Sequence, residues 1–126
     1  MPAASLRFGP ILVTASAEAV REFRRATGWA AAEGPPPASF PAVWLREPAI
    51  RAKIHGMAEG FGLPVHEAQH FVYAQPLKTG RTYALTLEAT RDADPPRLSI
   101  AGEVRETEGA LIAEVFSVLR LVEAPA

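Results

Sequence analysis

Apolar residues recur along this chain with two different periods, and the change of period organises it. Ile50, Ile54, Met57 and Phe61 are spaced by four, three and four, a stripe that predicts one largely buried helix. Pro48 suits the first turn of that helix, where a missing N–H costs little. Beside the stripe runs a second one of small residues, Ala49, Ala52, Gly56 and Gly60. Two glycines inside one helix weaken it by roughly 1 kcal/mol each relative to alanine. The stripe therefore predicts that another backbone passes close to that side. Gly62-Leu63-Pro64 stops the helix, and beyond it the period is two. Gln69, Phe71, Tyr73 and Gln75 share one face of a strand, with His70, Val72 and Ala74 on the other.

The period-two pattern continues through the rest of the chain. Residues 76–80 form a turn, and Tyr83, Leu85, Leu87 and Ala89 then alternate with Thr82, Thr86, Glu88 and Thr90 as a half-buried strand. Residues 92–96 (DADPP) have loop composition. Leu98, Ile100 and Val104 alternate with Ser99, Glu103 and Arg105, and a hairpin turn follows at Glu106-Thr107-Glu108-Gly109. Residues 111–122 are apolar on much of both faces, which places that strand centrally or at an interface. Strands separated by turn-sized gaps imply an antiparallel sheet.

Upstream of the helix the signals are shorter. Phe8-Gly9-Pro10-Ile11-Leu12-Val13-Thr14 is β-rich, and Pro10 assigns it to a sheet edge or a strand start. Ser16 has the position of an N-cap for a second helix, with Val20 and Phe23 on its apolar face. Arg21, Glu22, Arg24 and Arg25 lie on other faces and read as a solvated surface. Gly28 ends this helix. Residues 30–37 (AAAEGPPP) are a stiff connector laid over the domain surface. The fold class is α+β: one long central helix wrapped by a curved antiparallel β-sheet, with a smaller helix near the N-terminus. A single domain over residues 1–126 accommodates it.

Composition narrows the function. The chain is 48% hydrophobic, enough for a real core, and carries 13 Lys and Arg against 14 Asp and Glu. A near-neutral chain without a basic cluster argues against nucleic acid and anionic membrane surfaces. No apolar run approaches the roughly 20 residues of a membrane span, and residues 1–9 lack a signal-peptide core. The expected location is the cytoplasm. There is no cysteine, so disulfides and thiolate metal sites are excluded. His66 and His70 are four apart, and in a regular strand they would share a face about 13 Å apart, too far for one metal. No phosphate-binding glycine loop and no Gly-x-Ser-x-Gly elbow is present, and no cofactor is implied.

One family is suggested by an ordered set of short motifs. They are Phe23-Arg24-Arg25-Ala26-Thr27-Gly28, residues 36–40 leading into Pro41-Ala42-Val43, and Val65-His66-Glu67-Ala68-Gln69-His70-Phe71, followed by Tyr73, Pro76-Leu77 and Gly80. In order and spacing, from about Val13 to Val122, the chain resembles the MaoC-like dehydratases, in the N-terminal branch that lacks the usual Asp/His pair. The resemblance implies a hot-dog fold. It also implies an acyl thioester ligand, carried on coenzyme A or acyl carrier protein, to which water is added or from which it is removed. Such proteins assemble as dimers or double hot dogs, so a homodimer, or a heterodimer with another hot-dog chain, is expected. Active members follow the Thr-Gly pair with an aspartate and then a histidine, acting as general acid and base. Here Thr27-Gly28 is followed by Trp29, then Ala30-Ala31-Ala32-Glu33, and neither group is present. Where the branch carries His-Gly-Glu-Gln, this chain has His66-Glu67-Ala68-Gln69. Where the family has Gly-Asp after the Pro-Leu turn, it has Gly80-Arg81.

These features leave a short set of candidate residues. His66 is the catalytic candidate, against the alternative of a histidine bonded to backbone, and Glu67 is placed to orient it or simply to sit exposed at a strand start. Phe40 and Trp44 would roof an acyl tunnel or fill the core. Gln69 and Tyr73 are substrate-binding candidates, with Tyr73 and Gln75 otherwise ordinary sheet residues at a dimer seam, and His55 projects from the helix toward a local hydrogen bond. Three functions remain open. The chain is a hydratase or dehydratase of acyl thioesters, a non-catalytic hot-dog subunit supporting a catalytic partner, or an acyl thioesterase.

Overall fold

The period-two segments form a single five-stranded antiparallel sheet. The computed structural model describes residues 4–31 and 33–123. Its strands are β1 (Ala4–Thr14), β2 (Leu63–Tyr73), β3 (Thr82–Ala93), β4 (Pro96–Glu106) and β5 (Leu111–Val122), in the order β1-β3-β4-β5-β2. Two α-helices, α1 (Ala17–Ala26) and α2 (Pro48–Ala58), and a 3-10 helix (Phe40–Arg46) lie between β1 and β2 in the chain. Alternation decides the faces. Tyr83, Leu85, Leu87 and Ala89 of β3 and Leu98, Ile100 and Val104 of β4 are all buried, and they share one core with Ile50, Ile54 and Met57 of α2. β5 has a neighbour on each side, β4 and β2, which accounts for its apolar composition. β1 is an edge strand, and Pro10 falls inside its register shift between Phe8 and Ile11, where a missing N–H breaks no ladder bond. The DADPP segment is tighter than a loop, since Ala93 and Pro96 already pair across the β3–β4 turn.

The central helix is shorter than its sequence stripe. α2 has 11 residues and ends at Ala58, because Gly60 turns the chain with a φ of 83°. Phe61 therefore leaves the buried stripe and is 44% exposed. Its ring lies 3.8 Å from the Arg91 guanidinium of β3, and the same arginine donates to Met57 O at 3.0 Å. A cation is thus seated at the end of the helix where carbonyls lack partners and the dipole is negative. The small-residue stripe is also reassigned. Ala49, Ala52 and Gly56 are exposed, and a Cβ built on Gly56 or Gly60 meets nothing within 4 Å. The close approach occurs at Gly62, where a Cβ would lie 2.6 Å from Val122 O and φ is 134°. That contact starts the β2–β5 ladder at Leu63↔Val122. The helix turns its large residues inward, so its small ones face out, and the glycine that the packing requires lies at the strand entry.

α1 begins as expected, with Ser16 Oγ accepting from Ala19 N at 3.2 Å. Its arginines do not all face solvent. Arg24 is buried, donates through Nε to Ala31 O and through Nη1 to Pro35 O, each at 3.0 Å, and stacks 4.4 Å from the Trp29 ring. Its guanidinium ties the connector down, with help from Thr79 Oγ1 donating to Gly34 O at 3.2 Å and an Arg21–Glu33 ion pair at 2.9 Å. The connector runs over the surface as its prolines imply; Ala32 within it lies outside the described residues.

Candidate functional site

The first half of β2 carries the residues best suited to chemistry, and a single bulge sets their directions. His66 pairs with Leu119 and Ala68 with Val118, so Glu67 is the extra residue on β2. Inserting one residue reverses the alternation downstream. His66 therefore shares the inner face with Gln69, which pairs with Ser117, and His70 is left on the outer face beside Phe116, with ring centroids 6.0 Å apart. The expectation that His66 and His70 point the same way holds only for a regular strand. Among the described residues, no three His, Asp or Glu side chains cluster as metal ligands.

Gln69 is the hub of the inner-face network. Its Nε2 donates to Phe116 O at 3.0 Å, and its Oε1 accepts from Ser117 Oγ at 2.7 Å and lies 2.8 Å from His66 Nε2. A backbone carbonyl can only accept, so the amide orientation of Gln69 is fixed by Phe116 O. Oε1 is then an acceptor, and His66 must hold its proton on Nε2. The neutral ring keeps Nδ1 as its free acceptor nitrogen. Such a nitrogen can take a proton from water or from a carbon acid; the imidazolium form can return one.

His66 lines a cleft of about 330 Å³ between the 3-10 helix, α2 and the start of β2. Its floor is apolar, with Phe23, Val43, Leu45, Ile54 and Leu119. Arg46, Arg51 and His55 line it as well, and no aspartate or glutamate does. The arginines and Ser117 were not singled out by the sequence patterns. Ser117 had a signal, as the one hydroxyl among the inward positions Ala113, Val115, Leu119 and Leu121. Arg46 and Arg51 had none, because surface arginines on a helical segment are commonplace.

The other predicted site residues are placed elsewhere. Glu67 binds Arg97 with both carboxylate oxygens, at 2.7 and 3.0 Å, and this hydrogen-bonded pairing holds its carboxyl below the usual range. Arg97 pairs with Arg120 across β4 and β5 on the outer face, so Glu67 does not touch His66. Phe40 and Trp44 are core residues, 0% and 2% exposed, in an aromatic series Phe23–Phe40–Trp44–Tyr83 with centroids 5.6, 5.7 and 6.2 Å apart, the first two contacts edge-on and the third tilted. They do not line the His66 cleft. Trp44 Nε1 is buried with no hydrogen-bond partner among the described residues. Tyr73 donates to Ala38 O and lines a second cleft of about 320 Å³ with Pro36, Pro76 and Leu77. Burial, and secondarily the nearby Tyr83, push its phenol up to about 12. Of the candidates, the structure brings together His66 and Gln69 in one hydrogen-bond network, and His55 lines the same cleft as His66.

No family model matches the sequence, and no curated protein matches it. Solved structures do match its fold. The C-terminally truncated HadBC (3R-hydroxyacyl-ACP dehydratase) complex from Mycobacterium tuberculosis superimposes with a TM-score of 0.67 at 16% identity, covering 94% of this chain and 96% of that one. A predicted thioesterase from Bacillus stearothermophilus gives 0.60 at 15% identity, with 97% and 89% covered. The R-hydratase PhaJ1 from Pseudomonas aeruginosa gives 0.56 at 12% identity, with 98% and 83% covered. These neighbours are hot-dog dehydratases, hydratases and thioesterases, and at such identities the likeness is one of fold.

Proposed function

We propose that this chain is a MaoC-like hot-dog subunit that binds acyl thioesters, of coenzyme A or acyl carrier protein, and pairs through β2 with a second hot-dog chain. The reading rests chiefly on β2. It is an outer strand of the sheet, 11 residues long, with Leu63, Val65 and Val72 each close to half exposed, and its start holds His66 at the cleft. An unpaired apolar strand edge is a template for another strand. Pairing there would set a partner chain beside His66 and could supply the Asp/His groups missing after Thr27-Gly28. The HadBC neighbour is itself a complex of dehydratase chains, which supports this arrangement.

In this assembly His66, whose ring is oriented by Gln69, is the group proposed to move a proton at the cleft, which His55 also lines. Hydration of an enoyl thioester adds water oxygen to the β-carbon and a proton to the α-carbon; dehydration reverses both. The chain alone should form dimers at micromolar concentration by light scattering and hydrate crotonyl-coenzyme A weakly or not at all. Co-expression with a hot-dog chain that carries the Asp/His pair should raise the rate. A monomer, or strong turnover by the chain alone that persists in His66→Ala, would sink the proposal.

A second reading, thioester hydrolysis, is favoured by one observation. The hydrogen-bond network leaves Nδ1 of His66 as a free base, which suits activation of water for attack on a carbonyl. Release of free thiol from acyl-coenzyme A, which hydration of the double bond does not produce, separates the two.

A further inference from the structure

Six of the eleven arginines of this protein are engaged by side-chain contacts. Arg21, Arg81, Arg97 and Arg105 each pair with a glutamate, Arg24 holds two carbonyls, and Arg91 caps α2. Of the other five, Arg46 and Arg51 are grouped at one site. Both line the His66 cleft, and neither takes part in an ion pair among the described residues. His55 adds a third group able to carry positive charge. The charged groups in the lining are all basic, set in a concave apolar wall, while Glu22 lines an adjoining cleft that Arg46 shares. A guanidinium fork matches carboxylate and phosphate oxygens in two-point geometry. A volume of about 330 Å³ falls within the range of small-ligand sites, roughly 300 to 1,000 Å³.

We infer that this cleft seats an amphiphilic anion, its acyl chain on the floor formed by Val43, Leu45 and Ile54 and its anionic head on Arg46 and Arg51. The inference rests on the acyl reading of the site, but it concerns binding and needs no turnover. Two sources carry this chemistry. The head is the phosphate of a pantetheine-type carrier, or it is the carboxylate of a free fatty acid.

Calorimetric titration with decanoate, decanol and unacylated coenzyme A tests it on the intact chain. Decanoate should bind, decanol should bind at least roughly tenfold more weakly, and the double variant Arg46→Gln/Arg51→Gln should lose roughly tenfold or more in decanoate affinity, the effect of removing charged hydrogen bonds. Arg25→Gln, an exposed arginine outside this cleft, should leave affinity unchanged. Displacement of decanoate by coenzyme A supports the head site with phosphate as the source; binding of decanoate undisturbed by coenzyme A supports it with carboxylate as the source. Equal affinity for decanol and decanoate overturns the inference, as does an unchanged affinity in the double variant or no decanoate binding at millimolar concentration. Both arginines are exposed, so the fold survives their replacement. Because binding is read directly, a failed hydration assay would count against the proposed function and leave this result standing.

Discussion

Two glycines six residues apart should respond to alanine with opposite signs. Gly56 lies inside α2, its added Cβ would meet nothing within 4 Å, and its backbone is helical. Alanine there removes unfolded-state freedom and gains helix propensity, worth about 0.4–1 kcal/mol. Gly62 has a φ of 134°, and a Cβ would sit 2.6 Å from Val122 O and 2.9 Å from Val122 N. The contact is with backbone, so relief requires β5 and β2 to part at their first pair. Backbone strain of about 1–3 kcal/mol plus the lost contact places Gly62→Ala near 2–4 kcal/mol of destabilisation, among the larger single-residue effects. At roughly 2.1 cal/mol/K per residue, the 126 residues make 1 kcal/mol worth about 4 °C in Tm. Thermal unfolding at fixed protein concentration should therefore show Gly56→Ala about 2–4 °C above the parent and Gly62→Ala about 8–16 °C below it. A destabilising Gly56→Ala would mean that the small-residue face is covered, and a neutral Gly62→Ala would mean that the β2 entry is not tight. Either result refutes the packing argument.

Further outcomes follow from the same geometry. Arg24→Met breaks two charged hydrogen bonds to the 31–35 connector and should cost about 2 kcal/mol, whereas Arg25→Met, one residue on and exposed, should stay within about 0.5 kcal/mol; equal effects would show that Arg24 does not hold the connector. Nitrogen NMR should find neutral His66 protonated on Nε2, and Gln69→Leu should release the ring to a mixture of tautomers; a mixture already in the parent contradicts the network. The Tyr73 phenol should ionise near pH 12 by phenolate absorbance. Its folded value exceeds the ordinary 10, so its contribution is fully present below pH 10 and is lost as pH rises toward 12. Tyr73→Phe should remove that part of the alkaline decline; an unaltered pH profile would show that the phenol is not buried as described.

The alternation of β3, β4 and β5 and the stripe of α2 were enough to specify an antiparallel sheet with a helix on it, because burial of one face imposes periods of two and 3.6 on the residues themselves. The Ser16 cap and the edge position of β1 were readable for the same local reason: one hydroxyl or one missing N–H acts within a few residues. What the chain could not reveal was which way features turn once packed. The end that Gly60 gives α2 is capped by Arg91, more than thirty positions away, and the glycine stripe meets no backbone because the helix rotates it outward. The site shows this most clearly. His66 and Gln69 were both marked by sequence, but a one-residue bulge at Glu67, visible only in the pairing with β5, turned His66 inward and His70 outward. The same pairing set the Gln69 amide on Phe116 O, which makes Oε1 the acceptor and so fixes the nitrogen that carries the histidine proton. Periodicity is a property of neighbours along the chain, whereas register, bulges and the gathering of Arg46, Arg51 and His66 around one cleft are properties of contacts across it.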